Sequence, residues 1–191
     1  VTTLDAAPGD VLAVSAGPWW CRKVIELGER MRGLAAPVNH VIVITHQDAL
    51  GRWIGVQGQP GGVGPVDCTP YLAAKVTRSN HLQPKPAPGS PEMTAFLADC
   101  VNALGIRYDW AGIDDDLLDA LHLHDLTALV DRLWRWPAKH GMLPGEVVCS
   151  SLAAELYALA GWPHPDLGDE RQCEPSSWWR WNDGEQWRHA A

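Results

Sequence analysis

Apolar residues recur along this chain with two periods, and the changes between them mark out the elements. Val38–Thr45 (VNHVIVIT) is β-branched and apolar on both faces, the pattern of a buried central strand. Turn residues fill His46–Gly51 and Arg52–Gln57 (RWIGVQ) resumes the extended pattern, so a hairpin is predicted. Upstream, Gly9–Ser15 (GDVLAVS) reads as a turn and a short strand, and Trp19–Met31 has apolar and charged residues at helical spacing. Gly58–Asp67 (GQPGGVGPVD) reads as loop and Asn80–Ser90 as a Pro-rich stretch. Pro91–Leu104 is a predicted helix with Ser90 as N-cap and Gly105 as its stop. Asp114–Leu123 and Asp125–Trp136 predict two more short helices, each opened by Asp. Val148–Ala160 predicts a longer one, stopped by Gly161 and Pro163, whereas Trp162–Ala191 follows neither period. The succession β, α, ββ, α, α predicts an α+β fold on an antiparallel sheet, with residues 1–191 forming one domain.

Composition narrows the class. Hydrophobic residues make up 46% and charged ones 20%, enough for a globular core and too little charge for wholesale disorder. A net charge of -8 argues against a partner recognised through its phosphates, whether nucleic acid or an anionic membrane surface. No apolar run approaches the ~18 residues of a membrane helix, so no membrane insertion is expected. Val1–Asp10 has neither a basic nor an apolar region, so no signal peptide is expected either. There are 11 Trp against 1 Phe and 3 Tyr, a bias that makes the tail conspicuous. Trp178, Trp179, Trp181 and Trp187 offer rings for stacking on sugars or a partner, but tethering the tail to the domain is the simpler expectation.

The five cysteines, Cys21, Cys68, Cys100, Cys149 and Cys173, form no C-x-x-C pair and no zinc-finger spacing with histidine. Asp114-Asp115-Asp116 fits a helix N-terminus better than a cation site. His122, His124 and Asp125 lack the further ligands of a zinc hydrolase, and Gly61-Gly62-Val63-Gly64 lacks the Lys-Ser/Thr of a phosphate loop. No metal and no cofactor are therefore expected. One thiol stands out. A helix phased from Cys149 puts Leu152, Ala153, Leu156 and Ala160 on its face, with the sulfur at the N-terminal end, where unpaired amides and the helix dipole favour thiolate. The alternative is a buried cysteine that only packs. His40 opens the central strand, and if Thr45 faces Arg52 across the turn, His40 faces Gln57 at a Cβ separation of ~4.5–5.5 Å. The amide then holds one ring nitrogen while the other addresses a thiol, an arrangement that a one-residue slip would destroy. His46, on the same strand face, is a rival base expected to be solvated at the turn.

Ala103–Gly112 (ALGIRYDWAG), followed after a gap by Cys149-Ser150 and a helix ending in Gly, resembles the NlpC/p60 superfamily of papain-like cysteine hydrolases. In the ordinary family the histidine and a polar third residue follow the cysteine; here only His164 and His189 do, and neither lies on a recognisable strand. Upstream, Gly9-Asp10-Val11 and Asn39-His40-Val41-Ile42-Val43 resemble the circularly permuted, YiiX-like branch, in which G-D and S/N-H-V motifs precede the cysteine. Its third residue, usually a carboxylate, aligns with Gln57 in Ile54–Gly58 (IGVQG); glutamine orients imidazole but adds no negative charge. The resemblance covers residues 9–60 and 92–162. It leaves out Asp114–Pro144, read as a helical insertion, and the Trp-rich extension at 162–191.

The resemblance implies a papain-like antiparallel sheet packed on the nucleophile helix, and a triad of Cys149, His40 and Gln57. It also implies that Tyr108 and Ser150 line the oxyanion or substrate pocket, Tyr108 as a donor beside the Cys149 backbone N–H or as a wall; Trp110 is expected to pack against the helix. The implied activity is hydrolysis of amide bonds, with peptidoglycan stem peptides as substrate. The same branch holds lipid- and thioester-directed acyltransferases and amidases, so acyl transfer is an alternative. A second alternative keeps the fold as a binding or structural module, such as a phage virion or tail component with a cell-wall assembly partner.

Overall fold

Six strands in antiparallel succession organise the molecule. The computed structural model describes residues 6–16, 23, 37–59, 61–73, 77–80, 86–108, 146–147, 149–165, 175–181 and 187–189. In chain order the elements are β1 (Val11–Val14), β2 (His40–Gln47), β3 (Trp53–Gln59), β4 (Gly62–Asp67), α1 (Thr69–Leu72), β5 (Thr77–Asn80), α2 (Pro91–Asn102), β6 (Arg107–Tyr108), β7 (Glu146–Val147), α3 (Cys149–Leu159), α4 (Pro175–Arg180) and β8 (Trp187–His189). The sheet runs β4-β3-β2-β1-β5-β8 with every neighbouring pair antiparallel, while β6 and β7 form a separate parallel pair. The class is α+β.

The two-sided apolar run of β2 reflects burial on both faces of the sheet. Val11, Ala13, Val41, Val43, Val56 and Val63 share one core with Met93, Phe96, Leu152, Leu156 and Tyr157. Leu12, Val14, Ile42 and Ile44 point the other way, against Cys68 and Leu72. Each fully buried Val, Leu or Ile contributes roughly 1.5–3 kcal/mol relative to exposure, which ties both layers to this one strand.

The helices follow their end signals. Ser90 Oγ accepts from the Met93 amide at 3.2 Å, closing the N-terminus of α2. At the far end of α3, the Gly161 amide donates to Ala158 O and the Trp162 amide to Tyr157 O, with Gly161 at φ 66. These two bonds form a Schellman motif, and the Tyr157–Trp162 ring contact at 5.4 Å supplies its hydrophobic clasp. α3 is buried around most of its circumference, Ser150, Ser151 and Ala154 included, so the single apolar stripe phased from Cys149 understates how central the helix is.

Three sequence expectations are corrected. Gly58–Asp67 is not loop: most of it is β4, and Gln59 pairs with Gly62 to close a two-residue hairpin. Its glycines and Pro65 hid the strand, yet an edge position tolerates a residue without an N–H, and β4 is an edge. The expected pairing of Thr45 with Arg52 is also wrong. Val43 faces Val56 and Ile44 faces Gly55; after a bulge at Thr45, His46 faces Ile54. Arg52 belongs to the turn, where Asp48 Oδ1 accepts from the Leu50 and Arg52 amides at 2.8 and 2.9 Å. Finally, the tail, which follows neither period, supplies α4 and the edge strand β8, which pairs with β5. The expected tethering holds for Trp178, which is fully buried, with Trp179 and Trp181 packed against the same core. Apart from Lys23, the helix expected at Trp19–Met31 lies outside the described residues, as do those at Asp114–Leu123 and Asp125–Trp136 and the Asp114–Pro144 insertion.

A crowded glycine tests the β2–β3 packing. A Cβ on Gly55 would stand 2.6 Å from Val43 O and 2.7 Å from both Cys68 Sγ and Ile42 Cγ2. Gly55→Ala should lower the unfolding free energy by about 2–3 kcal/mol in urea titrations with an unchanged slope. Gly61→Ala, with open space around its Cβ, should stay within about 0.5 kcal/mol of the parent.

Candidate active site

The position of one amide decides where the candidate nucleophile sits. Ile44 directs both backbone groups to the β1 side, its N–H to Asp10 O and its C=O to the Gly9 amide. By the alternation of an antiparallel strand, Val43 and Val41 then address β3. The β2–β3 pairing reaches Val43↔Val56. Beyond it, the Val41 N–H is directed at the sulfur of Cys149. Cys149 is the first residue of α3 and 4% exposed. Its sulfur is therefore within reach of a backbone amide at the end of the β2–β3 pairing. That explains how it reaches His40, whose strand parity is that of Ile42 and Ile44, the residues turned away from the α3 core.

His40 joins two partners. Its Nε2 lies 2.6 Å from Gln57 Oε1. Since an amide oxygen only accepts, Nε2 carries the proton and Nδ1 is left for the Cys149 thiol, with which the ring hydrogen-bonds. The contact with Gln57 survives the corrected register because the error was two residues, which preserves the face. Continued past Val43, the register sets His40 opposite Gln59, so Gln57 is its diagonal neighbour, ~7–8 Å away and within reach of a long side chain. Gln57 Nε2 in turn donates to Gln59 Oε1 at 2.9 Å.

Electrostatics couple the thiol to the ring. Burial alone would push the Cys149 thiol up, but the His40 charge and hydrogen bond, aided by the Val41 and Ser150 amides, outweigh it and hold the thiol below its ordinary range. Burial alone would push the imidazole down, but the Cys149 charge and hydrogen bond, with the Gln57 contact, outweigh it and raise it. Opposed shifts of this kind favour a thiolate–imidazolium pair that titrates as one. The other described cysteines, both free, behave oppositely: burial, then the neighbouring Asp67 and Asp99 charges, push Cys68 and Cys100 up to about 12. Cys21 and Cys173 lie outside the described residues.

The remaining candidates separate cleanly. Ser150 is buried; its amide addresses the Cys149 sulfur and its carbonyl accepts from Trp178 Nε1 at 3.1 Å, so it enters the site through its backbone. The backbone of Tyr108 pairs with Val147, two residues before Cys149, but its side chain and all of Trp110 lie outside the described residues. His46 is exposed beyond the bulge, with Nδ1 3.0 Å from Thr45 Oγ1. His164 follows the far end of α3, ~16 Å along the helix axis from Cys149. His189, contrary to expectation, does lie on a strand, but β8 is three strands from β2, ~14 Å across the sheet. Asp114–Asp116, His122, His124 and Asp125 lie outside the described residues. Among the described residues no three His, Cys, Asp or Glu side chains gather as a metal site.

The G-D and N-H-V motifs serve the scaffold around the pair. Asn39 uses its side-chain amide like a strand residue, with Oδ1 accepting from Ala16 N at 3.0 Å and Nδ2 donating to Ala16 O at 2.9 Å. Asp10 is fully buried, with Oδ2 accepting from the Ala7 amide at 2.8 Å. The Tyr157 hydroxyl donates to Gly9 O, joining the G-D turn to α3. Sequence reasoning missed the Val41 amide, the Tyr157 tie and Gln59. Only Gln59 left a signal, as a second glutamine on the same strand face as Gln57. No protein-family model matches the chain, and no curated protein matches it.

Iodoacetamide labelling of the folded protein, read residue by residue by mass spectrometry, checks the pair. Thiolate at Cys149 appears as pH rises through its lowered value, so Cys149 should react in mildly acidic buffer while Cys68 and Cys100 stay unmodified. In His40→Ala only burial and the amides act on the thiol, its value rises, and the acidic-buffer rate should fall at least about tenfold as the thiolate fraction drops. Equal rates with and without His40 would contradict the pairing.

Proposed function

We propose that this protein is a cysteine hydrolase of the permuted NlpC/p60, papain-like type, cleaving amide bonds with peptidoglycan stem peptides as its substrate class. One observation carries the reading: a thiol at a helix N-terminus bonded to an imidazole whose far nitrogen is held 2.6 Å from a side-chain amide oxygen, with the thiol lowered and the ring raised. The packing of that helix on an antiparallel sheet, and the chain order His40, Gln57, Cys149, further support it.

The chemistry follows from the groups present. Cys149 thiolate attacks the amide carbonyl carbon, forming the S–C bond and a tetrahedral oxyanion. As the C–N bond breaks, His40 gives its Nδ1 proton to the departing amine, leaving a thioester on Cys149. Water then attacks the thioester, His40 accepts its proton, and the carboxylic acid departs as the thiolate re-forms. Gln57 keeps the Nε2–H tautomer throughout. As the first residue of α3, Cys149 has a backbone N–H without an intrahelical acceptor, available to the oxyanion; one such donor is worth about 3–4 kcal/mol in the transition state.

Incubating cell walls with the protein should release new amine termini, and Cys149→Ala should reduce that rate at least about a thousandfold while the fold persists. Turnover of thioesters or lipid esters without amine release would favour acyl transfer by the same pair. Equal wall binding by both forms, with no turnover of either bond, would favour the binding or virion module. The amidase profile should have an acid limb from Cys149 and an alkaline limb from His40, and the opposed shifts widen the plateau between them.

A further inference from the structure

A side-chain amide differs from a carboxylate in one respect that matters to His40: it has two unlike ends. With Oε1 toward the ring, Gln57 accepts from Nε2–H and leaves Nδ1 as the base. Rotated by half a turn, its NH2 would donate to a bare Nε2, favouring the tautomer with the proton on Nδ1, facing Cys149, where it cannot accept one. The imidazolium would also lose its acceptor. A glutamine in this place therefore needs a neighbour that fixes its sense.

Gln59 occupies that position. It follows Gln57 by two residues on β3, so both side chains leave the same face of the strand, and Gln57 Nε2 donates to Gln59 Oε1 at 2.9 Å. The acceptor seat faces the NH2 end of Gln57, and the oxygen end is 2.6 Å from His40 Nε2. With Gln59 and the His40 proton as they stand, reversing the Gln57 amide would set its oxygen against the Gln59 oxygen and its NH2 against the His40 Nε2–H, breaking both bonds at once. At its own back, Gln59 has its Nε2 3.3 Å from where a Cβ on Gly64, the residue of β4 opposite Gln57, would stand, so the missing side chain there leaves room for it.

We propose that Gln59 is a positioning residue: it holds Gln57 in the sense that keeps His40 able to accept the thiol proton. This rests on the Cys149–His40–Gln57 reading above and adds a fourth member that does not touch the reacting atoms. Its chemistry is acceptor-specific, so the role belongs to the oxygen of Gln59 and not to its volume.

The test is the pH dependence of Cys149 alkylation in wild type, Gln59→Leu and Gln59→Glu, repeated for Gln59→Leu on a Gln57→Glu background. Losing one hydrogen bond's net contribution should lower the acidic-buffer rate of Gln59→Leu about two- to tenfold and displace its profile toward higher pH. Gln59→Glu, which still accepts, should restore the wild-type rate or exceed it. A carboxylate at position 57 has no wrong sense, so on that background Gln59→Leu should change the rate less than about twofold, a coupling that bulk or charge at position 59 alone would not produce. Continued protection of Cys68 and Cys100 from the reagent reports that each variant is folded. An unchanged profile in Gln59→Leu, or an equal loss on both backgrounds, overturns the role of Gln59 while leaving the triad standing. A wild-type Cys149 with no advantage over an ordinary thiol overturns both.

Discussion

Keeping a thiolate inside a protein requires enough opposing charge and enough donors to exceed the penalty of burial, and at Cys149 one of those donors, the Val41 amide, depends on where the β2–β3 ladder ends. Had the pairing continued to Val41, that amide would face a carbonyl of β3. Because the pairing reaches only Val43, the Val41 amide is directed at the sulfur. Of the lowering influences on the thiol, the Val41 amide thus comes from a local departure from regular sheet, the Ser150 amide from α3 itself, and the imidazole from the first residue of β2. Continuing the ladder by two more residue pairs, to Val41, would take that donor from the sulfur.

A contact made at a strand edge tolerates little movement of the helix, and α3 is fixed near both of its ends. At the N-terminal end, the fully buried Trp178 bonds the Ser150 carbonyl; further along, Tyr157 bonds Gly9 O at the G-D turn. Phe96, Tyr157, Trp162, Trp178 and Trp181 then meet edge-on or tilted at centroid separations between 4.3 and 5.9 Å. Such ring pairs contribute ~0.5–1.5 kcal/mol each beyond their buried area. Losing the indole N–H would take one donor from the Ser150 carbonyl, a loss of ~0.5–1.5 kcal/mol beside Cys149. The described part of the tail therefore supports the site through Trp178.

What could be read from the sequence follows from how local each determinant is. β2 shows in its own residues because burial on both faces selects Val and Ile at consecutive positions, and α3 shows because Cys149 through Gly161 carry both its apolar spacing and its stop. β4 does not, because an edge strand can accept Gly62, Gly64 and Pro65, which by composition signal loop. β5 and β8 are defined by pairing with each other and with β1, information that no short window contains. Of the site, Cys149, His40 and Gln57 could be named but their geometry could not. The bulge at Thr45 displaces the register, and only because the displacement is even does Gln57 keep the face of His40. The Val41 amide has no sequence signature, since any residue but proline would supply the same N–H.

The neutral third residue has a consequence for the order of steps in the proposed reaction. The proton affinity of His40 is raised chiefly by the charge on Cys149, with a smaller part from Gln57. Acylation converts that thiolate to an uncharged thioester and removes the larger influence while burial remains. The ring then holds its proton less tightly at the moment when the departing amine needs one, and afterwards stands neutral, as a base for water must. A carboxylate at position 57 would keep a negative charge beside the ring in both states, favouring the imidazolium when a free base is required. An amide instead lets the charge state of Cys149 alone switch His40 between acid and base. The condition is that the amide keeps its sense, because an inverted Gln57 would hold the proton on the nitrogen facing the thioester.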